Sequence, residues 1–125
     1  MSKIIFNLGI ACLILFSSCS SDLEIEGFNS EIWKKDKKAC LDNRKNELKV
    51  LLEKKEILKG ESDSDILKLL GKPDEINQGS RGKKYFIYYI EPGAQCTSSP
   101  GKTGKKMVIE FDALGRARMI REEII

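Results

Sequence analysis

Four cysteines, no histidine and one Gly-Lys-Thr triplet set the limits of the chemistry open to this chain. Cys12 lies inside an apolar stretch, and Cys19 directly follows Ser17-Ser18, where apolar sequence gives way to polar. Cys40 and Cys96 stand far apart from these and from each other. A thiol placed directly after small residues, at the end of a short apolar run, is a substrate for diacylglyceryl transfer. Leu15-Phe16-Ser17-Ser18-Cys19 therefore predicts cleavage before Cys19 and acylation of its sulfur, with Phe16 standing where Leu is commoner. A plain secretory signal cut without acylation, or an N-terminal buried strand or helix, is the alternative. Cys40 and Cys96 then remain as an even pair in an exported protein and are expected to be disulfide-bonded; two unpaired buried thiols are the other reading.

The remaining candidates fall short of catalysis. Gly101-Lys102-Thr103 ends like a P-loop, but Cys96 occupies the place of the first glycine, and a strand follows where a helix is needed. Asp63-Ser64-Asp65 opens like a calcium loop, yet Leu67 and Leu69 fall where oxygen ligands belong. Asp63 with Asp65, and Asp74 with Glu75, sit at a helix start and a helix end, where capping accounts for them. Without histidine, no Ser or Cys has its commonest general base, and zinc loses its commonest ligand. The chain is not expected to be an enzyme or to hold a metal or cofactor. Lys and Arg number 22 against 19 Asp and Glu, with the signs interspersed. That mixture suits a solvated surface and not a nucleic-acid footprint.

The elements around these residues can be read in order. Residues 1–18 have the layout of a signal peptide: Lys3, the apolar run Ile4 to Phe16, then Ser17-Ser18. That run is shorter than the roughly twenty residues a membrane-crossing helix requires. Residues 19–28 form an acidic tether, and 29–125 a single domain, small enough that a staple would help it. Ser30 to Lys59 is expected to be one long helix, or one helix with a frayed end, N-capped by Ser30. Ile32, Trp33, Ala39, Cys40, Leu41, Leu48, Leu51 and Leu52 recur along it at roughly helical spacing. Gly60 breaks this pattern. Ser62 with Asp65 resembles a capping box, Ile66, Leu69 and Leu70 share a face, and Gly71 with Pro73 stops the second helix.

After the turn Gly79-Ser80-Arg81-Gly82 the period becomes two. Lys84 to Ile90 is a strand with bulk on both faces, Tyr85, Ile87 and Tyr89 opposing Phe86, Tyr88 and Ile90. A loop from Glu91 to Gly104 carries Cys96; Lys105 to Phe111 is a second strand. Asp112-Ala113-Leu114-Gly115 is a hairpin turn, and Arg116 to about Glu122 a third strand with Ala117 and Met119 on one side. The expected fold is α+β: two N-terminal helices on a three-stranded antiparallel meander, ααβββ.

Gly60-Glu61-Ser62-Asp63-Ser64-Asp65-Ile66, running into Leu69-Leu70-Gly71-Lys72-Pro73, resembles the helix motif of the SmpA/OmlA family. The Tyr88-Tyr89 strand, Val108-Ile109-Glu110-Phe111-Asp112 and the Gly115 turn are similar to the rest of that domain. The resemblance covers roughly 60–122. It implies a small outer-membrane lipoprotein, the best-known member being an accessory subunit of the β-barrel assembly machinery. The fold is also similar to that of β-lactamase-inhibitor-type domains, which bind other proteins.

These readings lead to a lipid-anchored, periplasm-facing protein-binding module, held in the outer membrane by acyl chains on Cys19 and meeting an envelope protein partner. Trp33, Tyr85, Tyr88 and Tyr89 are its candidate binding surface, with Trp33 alternatively a core anchor. A second reading is structural, with anionic lipid or glycan bound through Lys34, Lys35, Lys37 and Lys38. A third is a secreted inhibitor of the β-lactamase-inhibitor type.

Overall fold

The computed structural model describes residues 22–124. The expected signal peptide 1–18, with Cys12, and the expected acylation site Cys19 lie outside the described residues. The chain is α+β. Helices α1 (Ser30–Lys35), α2 (Arg44–Glu53), α3 (Lys55–Leu58) and α4 (Asp63–Leu70) precede strands β1 (Glu75–Gln78), β2 (Lys84–Tyr89), β3 (Lys105–Phe111) and β4 (Ala117–Ile124).

The long helix expected over 30–59 is broken, and Asp36 is the reason. Its carboxylate is fully buried and accepts hydrogen bonds from the backbone N–H groups of Leu41 at 2.8 Å and Asn43 at 2.7 Å. A short Asp side chain that satisfies backbone donors five and seven residues on offers the chain a turn in place of continued helix. Lys38, Ala39 and Asp42 inside that turn have φ of 58°, 58° and 60°. Leu41, counted toward the helical stripe, is 66% exposed. Nor does Ser30 cap α1: the side chain of Asn29 accepts from Ile32 N–H at 3.1 Å, and the Ser30 hydroxyl donates to the Leu69 carbonyl.

The second predicted helix is present as α4. Ser62 Oγ accepts from Asp65 N–H at 3.2 Å and donates to the Asp65 carboxylate at 3.0 Å, a cap worth about 1 kcal/mol. Gly71 closes the helix at φ 74°, its N–H on the Leu67 carbonyl at 2.8 Å. Ile66, Leu69 and Leu70 are buried as their spacing predicts.

The sheet has four antiparallel strands in the order β1-β2-β3-β4, not three. The additional strand, β1, is an edge strand whose four residues are all exposed, so no apolar alternation announces it. It pairs Glu75 with Ile87 and Asn77 with Tyr85. β4 holds a second departure. Its register shifts opposite Glu110 and Phe111, so that Phe111 faces Ala117 while Glu110 faces Met119. This bulge turns Ala117 into the core and Met119 out of it, where strict alternation had put them on one side. The Asp112–Gly115 turn forms as predicted, with Gly115 at φ 74° donating to the Asp112 carbonyl at 2.9 Å.

Helices cover one face of this sheet. Phe86, Tyr88 and Ile90 meet Met107, Ile109 and Phe111 from the neighbouring strand, and Trp33, Leu48, Leu51, Leu58, Ile66, Leu69 and Leu70 from the helices. Burying a large apolar side chain contributes roughly 1.5–3 kcal/mol, so this layer is the main source of cohesion. The expected tether is not detached over its described part. Ile25 is buried, Leu23 and Phe28 pack on the core, and the Phe28 ring lies 5.8 Å from that of Trp33. Cys40 and Cys96 are disulfide-bonded with Cα atoms 5.7 Å apart. The bond fastens the 36–43 turn to the loop between β2 and β3, and for a separation of 56 residues contributes roughly 4 kcal/mol in the chain-entropy model.

Candidate functional site

β2 carries three of the four aromatic residues singled out in the sequence and divides them between its two faces. Phe86, Tyr88 and Ile90 point to the helices, and Tyr85, Ile87 and Tyr89 point away. Tyr88 is fully buried, its ring 5.9 Å from that of Trp33, which is fully buried too. These two residues are core and form no surface with Tyr85 and Tyr89. Burial pushes the Tyr88 phenol above its ordinary range, and its hydroxyl donates to the Gly71 carbonyl at 2.8 Å.

Beside Trp33 and Tyr88 lies a polar centre that no spacing in the sequence announced. Arg44, only 1% exposed, opens α2 and reaches into the core. Its Nε donates to the Trp33 carbonyl at 3.0 Å; its Nη1 donates to Asp74 Oδ2 at 2.7 Å and to the Tyr89 carbonyl at 2.9 Å. The guanidinium stands 4.9 Å from the centre of the Trp33 ring. Asp74 also accepts from Lys38 N–H and Tyr89 N–H, both at 2.9 Å. Every charged group here is paired, as a buried charge requires. With both members engaged on backbone, this centre ties α1, the 36–43 turn and β2 together.

The face pointing away is different in kind. Tyr85, Ile87 and Tyr89 on β2 lie beside Lys106, Val108 and Glu110 on β3, Met119, Arg121 and Glu123 on β4, and Glu75 and Asn77 on β1. A shallow groove of about 320 Å³ on this face is lined entirely by strand residues, among them Tyr85, Ile87, Val108 and Arg121. No helix contributes to it. The groups brace one another: the Tyr89 hydroxyl donates to Glu75, the Arg121 guanidinium stands 5.9 Å from the centre of the Tyr85 ring, and Arg121 Nε donates to Glu123 at 2.7 Å. That last bond holds the Glu123 carboxyl below its usual range, while burial, then the Glu75 carboxylate, pushes the Tyr89 phenol up to about 12. Met119 is 48% exposed. Aromatic rings, a methionine and an arginine on a rigid sheet are the residue types enriched where proteins meet.

Lys34 and Lys35 sit in the last turn of α1, and Lys37 and Lys38 in the turn that follows. Among the described residues, no group of three or more His, Cys, Asp or Glu side chains is placed to hold a metal ion. No helix among them is long and apolar enough to cross a membrane. No family model matches the chain, and neither a curated protein nor a solved structure matches it.

Proposed function

We propose that this chain is a lipid-anchored, periplasm-facing protein-binding module of the bacterial outer membrane, with an SmpA/OmlA-like domain, serving as an accessory in envelope or outer-membrane protein assembly. The address rests on Leu15-Phe16-Ser17-Ser18-Cys19, and the family on the α4 motif, the Tyr88-Tyr89 strand and the Gly115 turn. The observation that carries the binding role is the sheet face that no helix lines, where Met119 is exposed and Tyr85 half-buried beside the buried Ile87, Tyr89 and Val108. An envelope protein presenting an apolar centre with a charged border of mixed sign fits it, since Lys106, Arg121, Glu123 and Glu75 supply both signs.

Because Leu23 already packs on the core, an acylated Cys19 would hold the domain close to the bilayer. The stretch from Cys19 to Leu23 spans at most about 14 Å when fully extended. Anchoring of this kind needs no membrane-crossing helix, since each buried methylene contributes about 0.8 kcal/mol and two or more chains suffice.

Two measurements test the reading. Intact mass of the membrane-extracted protein should show acyl chains, lost in Cys19→Ala; an unmodified, fully soluble wild type would remove the anchor. Affinity capture from solubilised membranes should recover one envelope protein with the wild type and lose it with Tyr85→Ala/Met119→Arg. Recovery of none, or equal recovery with the variant, would remove the binding role.

A further inference from the structure

The 36–43 turn is held with more force than a connection between two helices needs. Asp36 caps it from within, Asp74 takes the Lys38 N–H, the Gln95 side chain donates to the Lys38 carbonyl at 3.0 Å, and the Cys40–Cys96 bond fastens it covalently. All this secures Lys38 and Ala39 at φ 58°, where a side chain is strained by of order 1–3 kcal/mol and where glycine would sit at ease. The consequence of the conformation is where it places lysines. Lys37 and Lys38 from the turn, Lys34 from α1 and Lys72 from beyond α4 line one groove of about 420 Å³, with Leu70, Gly71 and Pro73 along its side and the Arg44–Asp74 pair also lining it. Gly71 lies under the Lys34 stem: a Cβ there would come within 3.0 Å of Lys34 Cγ.

Charge in this groove is unbalanced: among the described residues, the lysines that line it have no ion-pair partner. The same is true of Lys35, Lys49, Lys55 and Lys68 elsewhere, but here four lysines share one concavity. Lys45, Lys59, Lys83, Lys84 and Lys106 each lie within ion-pair distance of a carboxylate. Among the described residues, Lys34, Lys37, Lys38 and Lys72 do not, and the one carboxylate lining the groove, Asp74, is committed to Arg44 and two backbone N–H groups. Four lysines lining one concavity, with no free carboxylate among them, bias its potential positive. An anion carrying two or more charges on neighbouring oxygens offsets that potential, and lysines recognise phosphate as point charges.

We propose that the groove between Lys34, Lys37, Lys38 and Lys72 is a binding site for a phosphomonoester or diphosphate group. The inference stands apart from the sheet face and the anchor. The group has two possible sources. One is a soluble phosphorylated molecule. The other is a lipid headgroup, because Lys34 also lines the cleft beside Asp22–Ile25, at the end of the domain where residues 1–21 join.

Titration of the disulfide-intact full chain with inorganic pyrophosphate, followed by NMR or calorimetry at low salt, is the test. Saturable binding should shift groove resonances and weaken about tenfold in Lys38→Gln/Lys72→Gln, but not in Lys49→Gln/Lys55→Gln. A second arm measures retention on phosphatidylcholine vesicles doped with phosphatidic acid or with phosphatidylglycerol at equal surface charge. Preference for phosphatidic acid that disappears in Lys38→Gln/Lys72→Gln assigns the lipid source; pyrophosphate binding without that preference assigns the soluble one. The proposal is overturned if pyrophosphate does not bind and the two anionic vesicles are equivalent, or if both lysine pairs weaken binding equally, as diffuse electrostatics would do.

Discussion

On the helix-covered side of the sheet Phe86 and Tyr88 stand opposite Ile109 and Met107, whereas on the open side Tyr85, Ile87 and Tyr89 stand opposite Glu110, Val108 and Lys106. The two sets alternate along a single strand and are equally bulky. What separates them is the neighbouring strand, which offers only apolar partners on one face and alternates charge with apolar bulk on the other. Cross-strand neighbours, not the strand's own hydrophobicity, decide which side a layer of helices can cover. The covered side gains its cohesion from burial and from one satisfied ion pair. The open side keeps its rings in place with hydroxyl–carboxylate and guanidinium–ring contacts; Tyr85 stays half-buried, while Tyr89, Ile87 and Val108 are buried among these neighbours without any helix over them.

The sharpest test of that contrast compares tyrosines of the same strand. Tyr88→Ala and Trp33→Ala each empty a fully buried ring volume and should lower unfolding stability by about 3–5 kcal/mol in urea titrations. Tyr85→Ala, on the open face, should lower it by less than about 1 kcal/mol. Equal losses at Tyr85 and Tyr88 would mean that the open face is structural and would undercut the binding role given to it.

Arg44 extends the comparison to charge. Arg44→Met leaves the Asp74 carboxylate buried beside Tyr89 and Lys38 without its partner, a loss of about 3–5 kcal/mol. The double variant Arg44→Met/Asp74→Asn should recover part of this, because the uncompensated charge is gone. Arg121→Met, which leaves Glu123 on the open face partly in water and with Lys106 still 3.8 Å away, should cost no more than about 1 kcal/mol. A double-mutant cycle with no coupling between Arg44 and Asp74 would contradict the geometry.

How far these features were legible depended on whether they are local. α4 was readable from end to end because its cap, apolar face and stop lie within the segment: Ser62 with Asp65, Ile66 with Leu69 and Leu70, Gly71 with Pro73. The disulfide was readable because, with Cys12 and Cys19 assigned to the expected signal peptide and anchor, Cys40 and Cys96 are left as one pair. By contrast, Asp36 sits in a run of lysines that reads as a helix surface, and only its burial shows that it ends α1. β1 has no apolar alternation because both its faces are exposed at the sheet edge. The bulge opposite Glu110 and Phe111 depends on register, which the sequence of β4 alone does not contain. Arg44 and Asp74 are 30 residues apart and lie in segments that each look solvated. The candidate surface was half legible for the same reason: β2 announced two bulky faces, and nothing in it says that Tyr88 is the covered one.

Alkaline titration separates the faces without substitution. Tyr89 has its pKa raised to about 12 by burial and then by Glu75, and Tyr88 is raised further by burial. For a phenol raised on folding, the stabilisation is complete below the unfolded value of about 10 and is lost as pH climbs through the folded one. Stability should therefore decline between about pH 10 and 12. Phenolate absorbance should show Tyr89 ionising while the fold persists and Tyr88 only on unfolding. Tyr88 ionising first would reverse the assignment of faces.

The smallest effect lies at acid pH, at a contact that joins the strands to α4. Lys84 on β2 donates to the Asp63 carboxylate at the start of α4, and the Asp63 N–H donates to the Gly115 carbonyl at 2.9 Å. The Lys84 bond is the largest of several causes holding the Asp63 carboxyl below its usual value of 3.8. A carboxyl lowered on folding contributes stability that is fully present above the unfolded value and is lost as pH falls through the folded one. The side chain is 32% exposed, so water screens the pair and its contribution belongs at about 0.2–1 kcal/mol. Asp63→Asn should remove that increment at neutral pH and flatten the stability profile below about pH 4, with wild type and variant converging as the carboxyl protonates. Lys84 also stands 5.2 Å from the centre of the Phe86 ring, on the covered side of β2. If Asp63→Asn instead loosened the strand itself, seen as faster amide exchange at Phe86 and Tyr88, the ion pair would be positioning the core as well as joining α4 to the sheet.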